Sequence, residues 1–379
     1  MELERQGCEV AIVPVRPGGD VVHSDARELV AKATVEPLLS VKVLGGALAE
    51  TVRSPRAAAR ALVSLRQSRN VRIFLKNLAV LPKGLWLARH ARRLAVGHLH
   101  AHWAGTSATV AMLASEISGI SWSLTAHRWD ISENNLLVLK AKRACFVRAI
   151  SERGAEQIRS IVGRSGWSPW VLHMGVPVTP RGRAPAADGP FRVVIGASLI
   201  DVKGHRHVIE AVQRLKARGV SVRADFAGDG PLAGALRRRV TELGLEEDVV
   251  FLGRVSHAEL VSDMAGGKWD AAVLPSVAPS AARQEGIPVF LMEAMACGLP
   301  ALGTDAGGVP ELLRDGAGLL VPPGDEDALA DALARLASDD GLRQTLAERG
   351  RKRIEEAFSI ADVAAALHTR FRECVSKSR

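Results

Sequence analysis

Strand and helix patterns alternate along the second half of the chain. Short runs of Val, Ala, Leu and Phe alternate with segments whose apolar residues recur every three or four positions. Such runs are typical of buried parallel strands and such segments of amphipathic helices, so the pattern predicts βα units in a parallel sheet. The predicted strands are 191–196, 221–227, 249–252, 269–275, 300–303 and 318–321, and the predicted helices are 204–218, 232–243, 325–337 and a helical tail from 342 to about 374.

The first half shows the same alternation. The predicted strands are 9–14, 98–103, a strand from 121 whose end carries a polar cluster, 144–150 and 170–177, and the predicted helices are 105–118 and 152–162. Residues 1–7 are predicted as the end of a helix. A doubly wound domain normally opens with a strand and a glycine-containing turn. We therefore expect this domain to lack its first strand and to expose a sheet edge that invites pairing with another chain.

Residues 177–190 separate the two halves. They contain four prolines and two glycines with little apolar content, which is typical of an interdomain linker. A chain of 379 residues is long enough for two domains. The pattern predicts an α/β fold with two Rossmann-like doubly wound domains, 1–176 and 191–360, followed by a C-terminal helix, 361–379.

The stretch 284–300 contains the clearest candidate site. Pro288 fits the first position of a helix, and Gly298 fits its end. Glu285 then lies in the loop before the helix and Glu293 in its second turn, so two carboxylates flank free backbone amides that attract an anion. A diphosphate with a polyol at each end, a nucleotide-sugar, suits this arrangement. Alternatively, Glu285 caps the helix and Glu293 is a solvated helix residue.

With the Ala-Met-Ala-x-Gly-x-Pro that follows Glu293, and with the segment 303–311, the chain resembles the retaining glycosyltransferases of family four, of the colanic-acid and exopolysaccharide type. The resemblance implies a GT-B fold, with two domains facing across a cleft and a C-terminal helix that returns to the first domain. It implies that Glu285 binds the donor hexose and Glu293 the nucleotide ribose. Gly286, Ile287, Pro288 and Val289 would surround the donor.

Other positions on the donor side follow the resemblance less closely. Lys203 comes just after the first strand of the second domain, where its ammonium can neutralise a diphosphate. The family usually has an arginine five residues earlier, and this chain has Ser198, which puts catalytic strength in question. The remaining predicted donor contacts are Gly228 and Gly230 in a glycine turn, Arg254 and Val255 along the nucleobase, and Gly307 and Gly308, which either admit a ligand or form a simple turn.

Histidines end two of the predicted strands in the first domain. In open α/β sheets ligands lie at the carboxyl ends of strands, so His102 and His127 are placed to face a cleft. The resemblance implies that His127 contacts the donor sugar at the reaction centre, and we place His102 and Asp130 on the acceptor side. His98, His100 and His102 share a strand face, but no carboxylate or cysteine is close in sequence, so we expect no metal.

The charge distribution suggests an anionic partner. The formal net charge is +9, and no Asp or Glu occurs from 51 to 115, where basic residues alternate with apolar ones. This stretch predicts amphipathic helices broken near Pro82 and Gly84. It either rests on anionic lipid, with Trp86 at the interface and Arg89, Arg92 and Arg93 contributing charge, or consists of core leucines with a solvated basic face. No recognition motif supports nucleic acid.

The predicted function is therefore transfer of a sugar, with retention, from a nucleotide-sugar to the hydroxyl of a lipid-linked or polysaccharide-precursor acceptor, with Glu285, His127 and Lys203 in catalytic roles. We expect no cofactor. Four dispersed cysteines and no apolar run long enough for a membrane span favour the cytoplasm, including the inner face of the membrane. The alternatives are a sugar-nucleotide epimerase on the same scaffold and a nucleotide-sugar-binding protein with weak or lost catalysis.

Overall fold

The computed structural model describes residues 1–18, 24–178, 189–278 and 285–378. The chain forms two compact units, one of Met1–His173 with Val363–Arg379 and one of Met174–Asp362. Most of the predicted linker, 177–190, lies outside the described residues.

The first unit is built on a parallel sheet. Its elements in chain order are α1 (Glu2–Arg5), α2 (Ser24–Lys32), α3 (Val41–Arg53), α4 (Pro55–Ser64), α5 (Val71–Arg93), β1 (His98–His102), α6 (Thr106–Ser118), β2 (Ser121–Ala126), α7 (Trp129–Glu133), α8 (Leu137–Arg143), β3 (Val147–Ala149), α9 (Glu152–Val162) and β4 (Trp170–Val171). The described strands have the order β1-β2-β3-β4, and Leu99 pairs with Trp122. Side chains such as Leu124, Met112 and Ile158 fill the core on both faces of the sheet, as in any parallel sheet covered by helices.

The predicted strand 9–14 is wrong. These residues pair with no strand in the described part of the chain. Ile12 O accepts a single backbone hydrogen bond, from Thr34 N, which does not form a ladder. A strand needs a neighbour at hydrogen-bonding distance. This segment instead lines a cavity of about 1620 Å³, together with residues of β1, α5 and α6. Among the described strands, β1 is therefore at the edge of the sheet.

The predicted helix break near Pro82 and Gly84 is also wrong, because α5 continues through both residues. Tertiary packing overrides the local preference. A Cβ on Gly84 would lie 2.8 Å from Leu113 Cβ, so this glycine lets α5 and α6 approach closely. Trp86 is only 4% exposed, which contradicts its predicted place at a membrane interface. Its ring stacks on His90, and Lys83 Nζ lies over it.

The second unit holds a larger parallel sheet. Its elements are β5 (Phe191–Gly196), α10 (His205–Ala217), β6 (Val222–Ala227), α11 (Ala233–Glu242), β7 (Val249–Gly253), α12 (His257–Ala265), β8 (Ala271–Leu274), α13 (Val289–Ala296), β9 (Ala301–Thr304), α14 (Val309–Leu313), β10 (Leu319–Val321), α15 (Glu326–Ser338) and α16 (Asp340–Ala357). The described strands have the order β10-β9-β8-β5-β6-β7, so the chain reverses direction across the sheet between β5 and β8, as doubly wound folds do.

All six strands predicted for this unit are confirmed, with bounds shifted by no more than two residues. The helices α12 and α14 were not predicted, although Ser256 and Glu259 form the Ser-x-x-Glu pattern of a helix start, and the Ser256 hydroxyl accepts a hydrogen bond from Glu259 N. Asp325, which the sequence places at a helix start, accepts from Ala328 N at the beginning of α15.

The predicted helical tail is two helices. The first, α16, ends at Ala357, and α17 (Ile360–Ser378) follows after Ser359, which bridges Val176. A Cβ on Gly175 would lie 2.5 Å from Ile360 Cα, so this glycine allows the two segments to meet. The end of α17 belongs to the first unit, where Phe371 lies beside His98, His100 and Phe146. Among the described residues, no helix is long and apolar enough to cross a membrane.

Candidate functional site

The loop before α13 and the second turn of this helix carry the two carboxylates that the sequence predicts as a site. The helix begins at Val289, with Pro288 as its N-cap, one residue later than predicted. The first turn of α13 offers backbone N–H groups without helical partners. Glu285 lies in the loop and Glu293 in the second turn, as the sequence predicts.

Glu285 is held by three contacts. Its Oε2 lies 2.7 Å from Lys203 Nζ and accepts a hydrogen bond of 3.2 Å from Ser276 Oγ, and its Oε1 accepts one from Gly286 N. Both partners of the ion pair are largely buried. Lys203, Glu285 and the buried Ser276 thus converge at the carboxyl ends of β5 and β8, the position at which open α/β sheets bind ligands. Ser276 was not identified from the sequence because it lies in no recognisable motif.

Glycines bring the loops of this cluster together. Gly204, directly after Lys203, has φ +71°, and a Cβ there would lie 1.9 Å from Pro275 O. Gly307 has φ +62°, and a Cβ there would lie 2.0 Å from Glu285 O, while Gly308 packs against Gly286 and donates from its N–H to Glu285 O. The close approach that Gly307 and Gly308 permit is therefore to the loop that carries Glu285.

The glycine turn after β6 packs against the loop that carries Ser198. A Cβ on Gly228 would lie 2.0 Å from Ala197 O, and one on Gly230 would lie 2.6 Å from Leu199 O. Ser198 itself is exposed. Arg254 Nε lies 3.4 Å from Asp229 Oδ2 in the same turn, so a guanidinium is present near the loop that lacks the usual arginine. Val255, next to it, packs against the core.

Glu293 has a histidine partner that the sequence did not reveal. Its Oε1 lies 2.7 Å from His257 Nε2, and the carboxylate is mostly buried whereas the imidazole is half-exposed. His257 is the first residue of α12. The capping pattern at Ser256 was the available signal for this helix, but nothing in the sequence pointed to the contact across 36 residues.

In the first unit, His102 and His127 meet at the ends of β1 and β2. Their Nε2 atoms are 2.9 Å apart, so one imidazole donates to the other. Burial lowers the pKa of His127 to about 4, and the neighbouring His102 adds to the effect. The ring of Trp103 stacks on His127 with a centroid distance of 4.1 Å. At neutral pH the pair is therefore uncharged and can exchange hydrogen bonds with hydroxyls.

Asp130 and Lys140 hold the loops that carry this pair. The buried Asp130 carboxylate accepts hydrogen bonds from the backbone N–H groups of Ala104, His127 and Arg128. Lys140 Nζ donates to Ala104 O and Gly105 O, and burial lowers its pKa to about 7. Asp130, predicted on the acceptor side, thus binds backbone N–H groups of both loops. Lys140 was not identified from the sequence.

The imidazoles of His98 and His100 are occupied by hydrogen bonds. His98 contacts the hydroxyls of Ser121 and Ser123, and His100 contacts those of Ser123 and Thr125, at 2.7 to 2.9 Å. The register between β1 and β2 places these groups opposite each other. In the part of the chain that the structure describes, no group of three His, Cys, Asp or Glu could hold a metal ion.

Comparison with known proteins finds a family that the second half of the chain resembles. The model of the family described as "Glycosyl transferases group 1" matches residues 181–353. WcaL of Escherichia coli, named for colanic acid biosynthesis, is 38% identical over 50% of this chain and 47% of its own length. The amylovoran biosynthesis glycosyltransferase AmsK of Erwinia amylovora is 32% identical over 51% of each chain. The chain thus spans about half the length of these curated relatives.

Solved structures share the fold. A glycosyltransferase from Rickettsia africae has a TM-score of 0.70 at 17% identity and covers 99% of this chain and 93% of its own. HepE of Anabaena, solved in complex with UDP, has a TM-score of 0.66 at 22% identity and covers 77% of this chain and 82% of its own. With its two parallel-sheet units the chain has the GT-B fold of these structures, and its segment 181–353, which contains the motif at α13, is similar to glycosyl transferases group 1.

Proposed function

We propose that the protein transfers a sugar from a nucleoside-diphosphate sugar to an acceptor hydroxyl with retention of configuration. The observation that carries this proposal is the Lys203–Glu285 ion pair in front of the first turn of α13. A cation, a carboxylate and free helix amides at one point are suited to a ligand that has phosphates beside hydroxyls.

In this proposal the acceptor oxygen replaces the diphosphate at the anomeric carbon, and the hydroxyl proton is released. Negative charge then develops on the departing diphosphate. Lys203 and the backbone N–H groups at the start of α13 stabilise it, while Glu285 accepts hydrogen bonds from the sugar hydroxyls and orients the ring. Ser276 and Gly286, which contact Glu285, hold its carboxylate in place.

Glu293 binds the ribose hydroxyls in this scheme. Its present contact is with His257, whose half-exposed ring can give way to a ligand. His127 contributes a neutral imidazole toward the reacting sugar, and His102 orients it through the contact between their Nε2 atoms. Arg254 at the Asp229 turn replaces part of the charge that Ser198 does not supply.

The names of two relatives support a proposal for the acceptor. WcaL and AmsK are named for the biosynthesis of colanic acid and amylovoran, so we infer that this protein acts on a polysaccharide precursor or a lipid-linked sugar. No cofactor takes part in this chemistry. The reaction would take place in the cytoplasm, where nucleotide-sugars are made.

A thermal-shift screen with UDP-, GDP-, ADP- and TDP-sugars tests donor binding, because a ligand at a hundred times its dissociation constant stabilises the fold by about 2.7 kcal/mol. The stabilising donor is then incubated with an acceptor panel, and NMR gives the anomeric configuration of the product. Stabilisation by one donor and a retained product support the proposal. Conversion of the donor without an acceptor would indicate an epimerase, and binding without any product would indicate the binding protein that Ser198 suggests.

A further inference from the structure

Helix α3 exposes a stripe of large aliphatic residues. Val41, Leu44, Leu48 and Val52 are 89%, 44%, 67% and 75% exposed. At about 100° per residue, these four positions fall within a sector of about 80° on one side of the helix. We call this set the α3 stripe. Single exposed apolar residues are common, but four in one row on one helix are not.

The opposite side of α3 is buried in the first unit. Val43 and Ala47 belong to its core, and Glu50 on the same side forms an ion pair with Arg92. The helix is thus apolar on both sides, with one side already covered by the protein. An exposed apolar patch of this kind marks a surface that contacts another protein or a membrane.

The elements that follow α3 are strongly basic. Six exposed arginines lie from the last residue of α3 to the first turn of α5. None of them has an ion-pair partner among the described residues: Arg53, Arg56, Arg60, Arg66, Arg69 and Arg72. Three other cations of this region are occupied. Arg92 pairs with Glu50, Lys76 with Glu133, and the Lys83 ammonium donates to Glu36 O.

The geometry points to a docking surface for an anionic lipid bilayer. We propose that the α3 stripe inserts among the acyl chains near the headgroups while the six arginines contact the lipid phosphates. This differs from the sequence-based hypothesis, in which Trp86 made the apolar contact. Trp86 is buried, and the stripe begins ten residues before the acid-free stretch 51–115.

Charge and side-chain type favour lipid over a second copy of the chain. Two copies that met at this surface would bring their arginine clusters close together, and like charges repel. Protein interfaces are enriched in aromatic residues at their centre, but the α3 stripe contains only Val and Leu. An interfacial helix with an apolar side beside basic residues is the usual arrangement at anionic membranes.

Vesicle flotation of the full chain tests the proposal. We expect the protein to float with phosphatidylcholine vesicles that contain phosphatidylglycerol, to remain unbound with phosphatidylcholine alone, and to bind less as salt rises. Leu44→Ser combined with Leu48→Ser should weaken binding by at least about tenfold, because each substitution removes hydrocarbon groups that would be buried in the bilayer. Leu320→Ser is the matched control, since Leu320 is a 40% exposed leucine of the second unit.

The charge is tested separately with Arg56→Gln combined with Arg60→Gln, which should weaken binding about tenfold or more at low salt. Its control is Arg238→Gln combined with Arg335→Gln, two exposed arginines of the second unit. All four positions are solvent-exposed, and circular dichroism checks that the variants fold.

Two results would overturn the proposal. One is flotation of the leucine variant at the wild-type level. The other is absence of flotation together with a wild-type dimer, seen by light scattering, that dissociates in the leucine variant, which would assign the surface to a second copy. The readout is binding to lipid and does not involve sugar transfer, so failure of the proposed function would leave it unaffected.

Discussion

Lys203 Nζ and Glu285 Oε2 are 2.7 Å apart, although 82 residues separate them in the chain. The contact joins the loop after β5 to the loop before α13, and both partners are largely buried. A diphosphate that binds Lys203 would therefore share it with Glu285, so binding of the phosphate and orientation of the sugar are coupled through one ion pair.

This pair should contribute to stability as well as to binding. We predict that Lys203→Met lowers the free energy of unfolding by about 1–3 kcal/mol, because it leaves a largely buried carboxylate without its cation. Lys203→Met combined with Glu285→Gln should be less destabilised than the sum of the two single variants. A urea-unfolding double-mutant cycle measures the coupling. Strictly additive effects would show that the pair does not form in solution.

Ser198 offers a gain-of-function test. If a phosphate-binding cation is missing at this position, Ser198→Arg should tighten binding of the nucleoside diphosphate about tenfold and make Lys203→Ala less damaging. Isothermal titration calorimetry provides both numbers. Ser198→Gln, which adds bulk without charge, is the control. Equal affinity in wild type and Ser198→Arg would mean that residue 198 does not reach the phosphates.

The stability of the fold should depend on pH through buried histidines. Burial lowers the pKa of His98, His127 and His205 to about 4, from an ordinary value of 6.5. Because the unfolded chain binds these protons more tightly, the stabilisation is fully present above pH 6.5 and is lost as the pH falls towards 4. Thermal unfolding across this range measures the loss.

His205→Phe provides a comparison for this pH dependence. Both ring nitrogens of His205 are buried without a hydrogen-bond partner among the described residues, and the ring packs edge-on against Phe226. The variant should therefore fold and show a shallower decline between pH 6.5 and 4, by about one proton. A decline as steep as in the wild type would exclude His205 as a contributor.

At position 103 a glycine variant should be more stable than an alanine variant, which is the reverse of the usual order. Its φ of +76° lies in the left-handed region, which costs a residue with a Cβ about 1–2 kcal/mol relative to glycine. We predict that Trp103→Gly is more stable than Trp103→Ala by about 1 kcal/mol, although glycine normally destabilises. Urea unfolding compares the two. Greater stability of the alanine variant would contradict the left-handed backbone conformation at Trp103.

The sequence predicted the second unit well because parallel strands are buried on both faces and stand out as apolar runs. It also placed Glu285 before α13 and Glu293 within it, since the proline and the glycine at the helix ends are local features. It did not identify Ser276 or His257, which contact Glu285 and Glu293 from other parts of the chain. Nothing local marks such contacts.

The errors in the first unit have the same origin. Pro82 and Gly84 indicate a helix break by local rules, but packing of α5 on α6 keeps the helix intact, and Gly84 makes that packing close. The apolar segment 9–14 has the composition of a strand but lacks a neighbour at pairing distance among the described residues. Local composition does not determine which elements contact each other in the folded protein.

We infer that Glu285 binds the reacting sugar and that Glu293 binds the nucleotide. The most direct test is to measure both nucleoside-diphosphate affinity and turnover with the stabilising donor for wild type, Glu285→Ala and Glu293→Ala. We predict that Glu293→Ala weakens nucleotide binding at least about tenfold and that Glu285→Ala lowers kcat at least about tenfold with nucleotide affinity largely retained, since each loses a charge-assisted hydrogen bond of about 1.5–3 kcal/mol. Wild-type affinity and wild-type turnover in both variants would show that neither glutamate binds the donor.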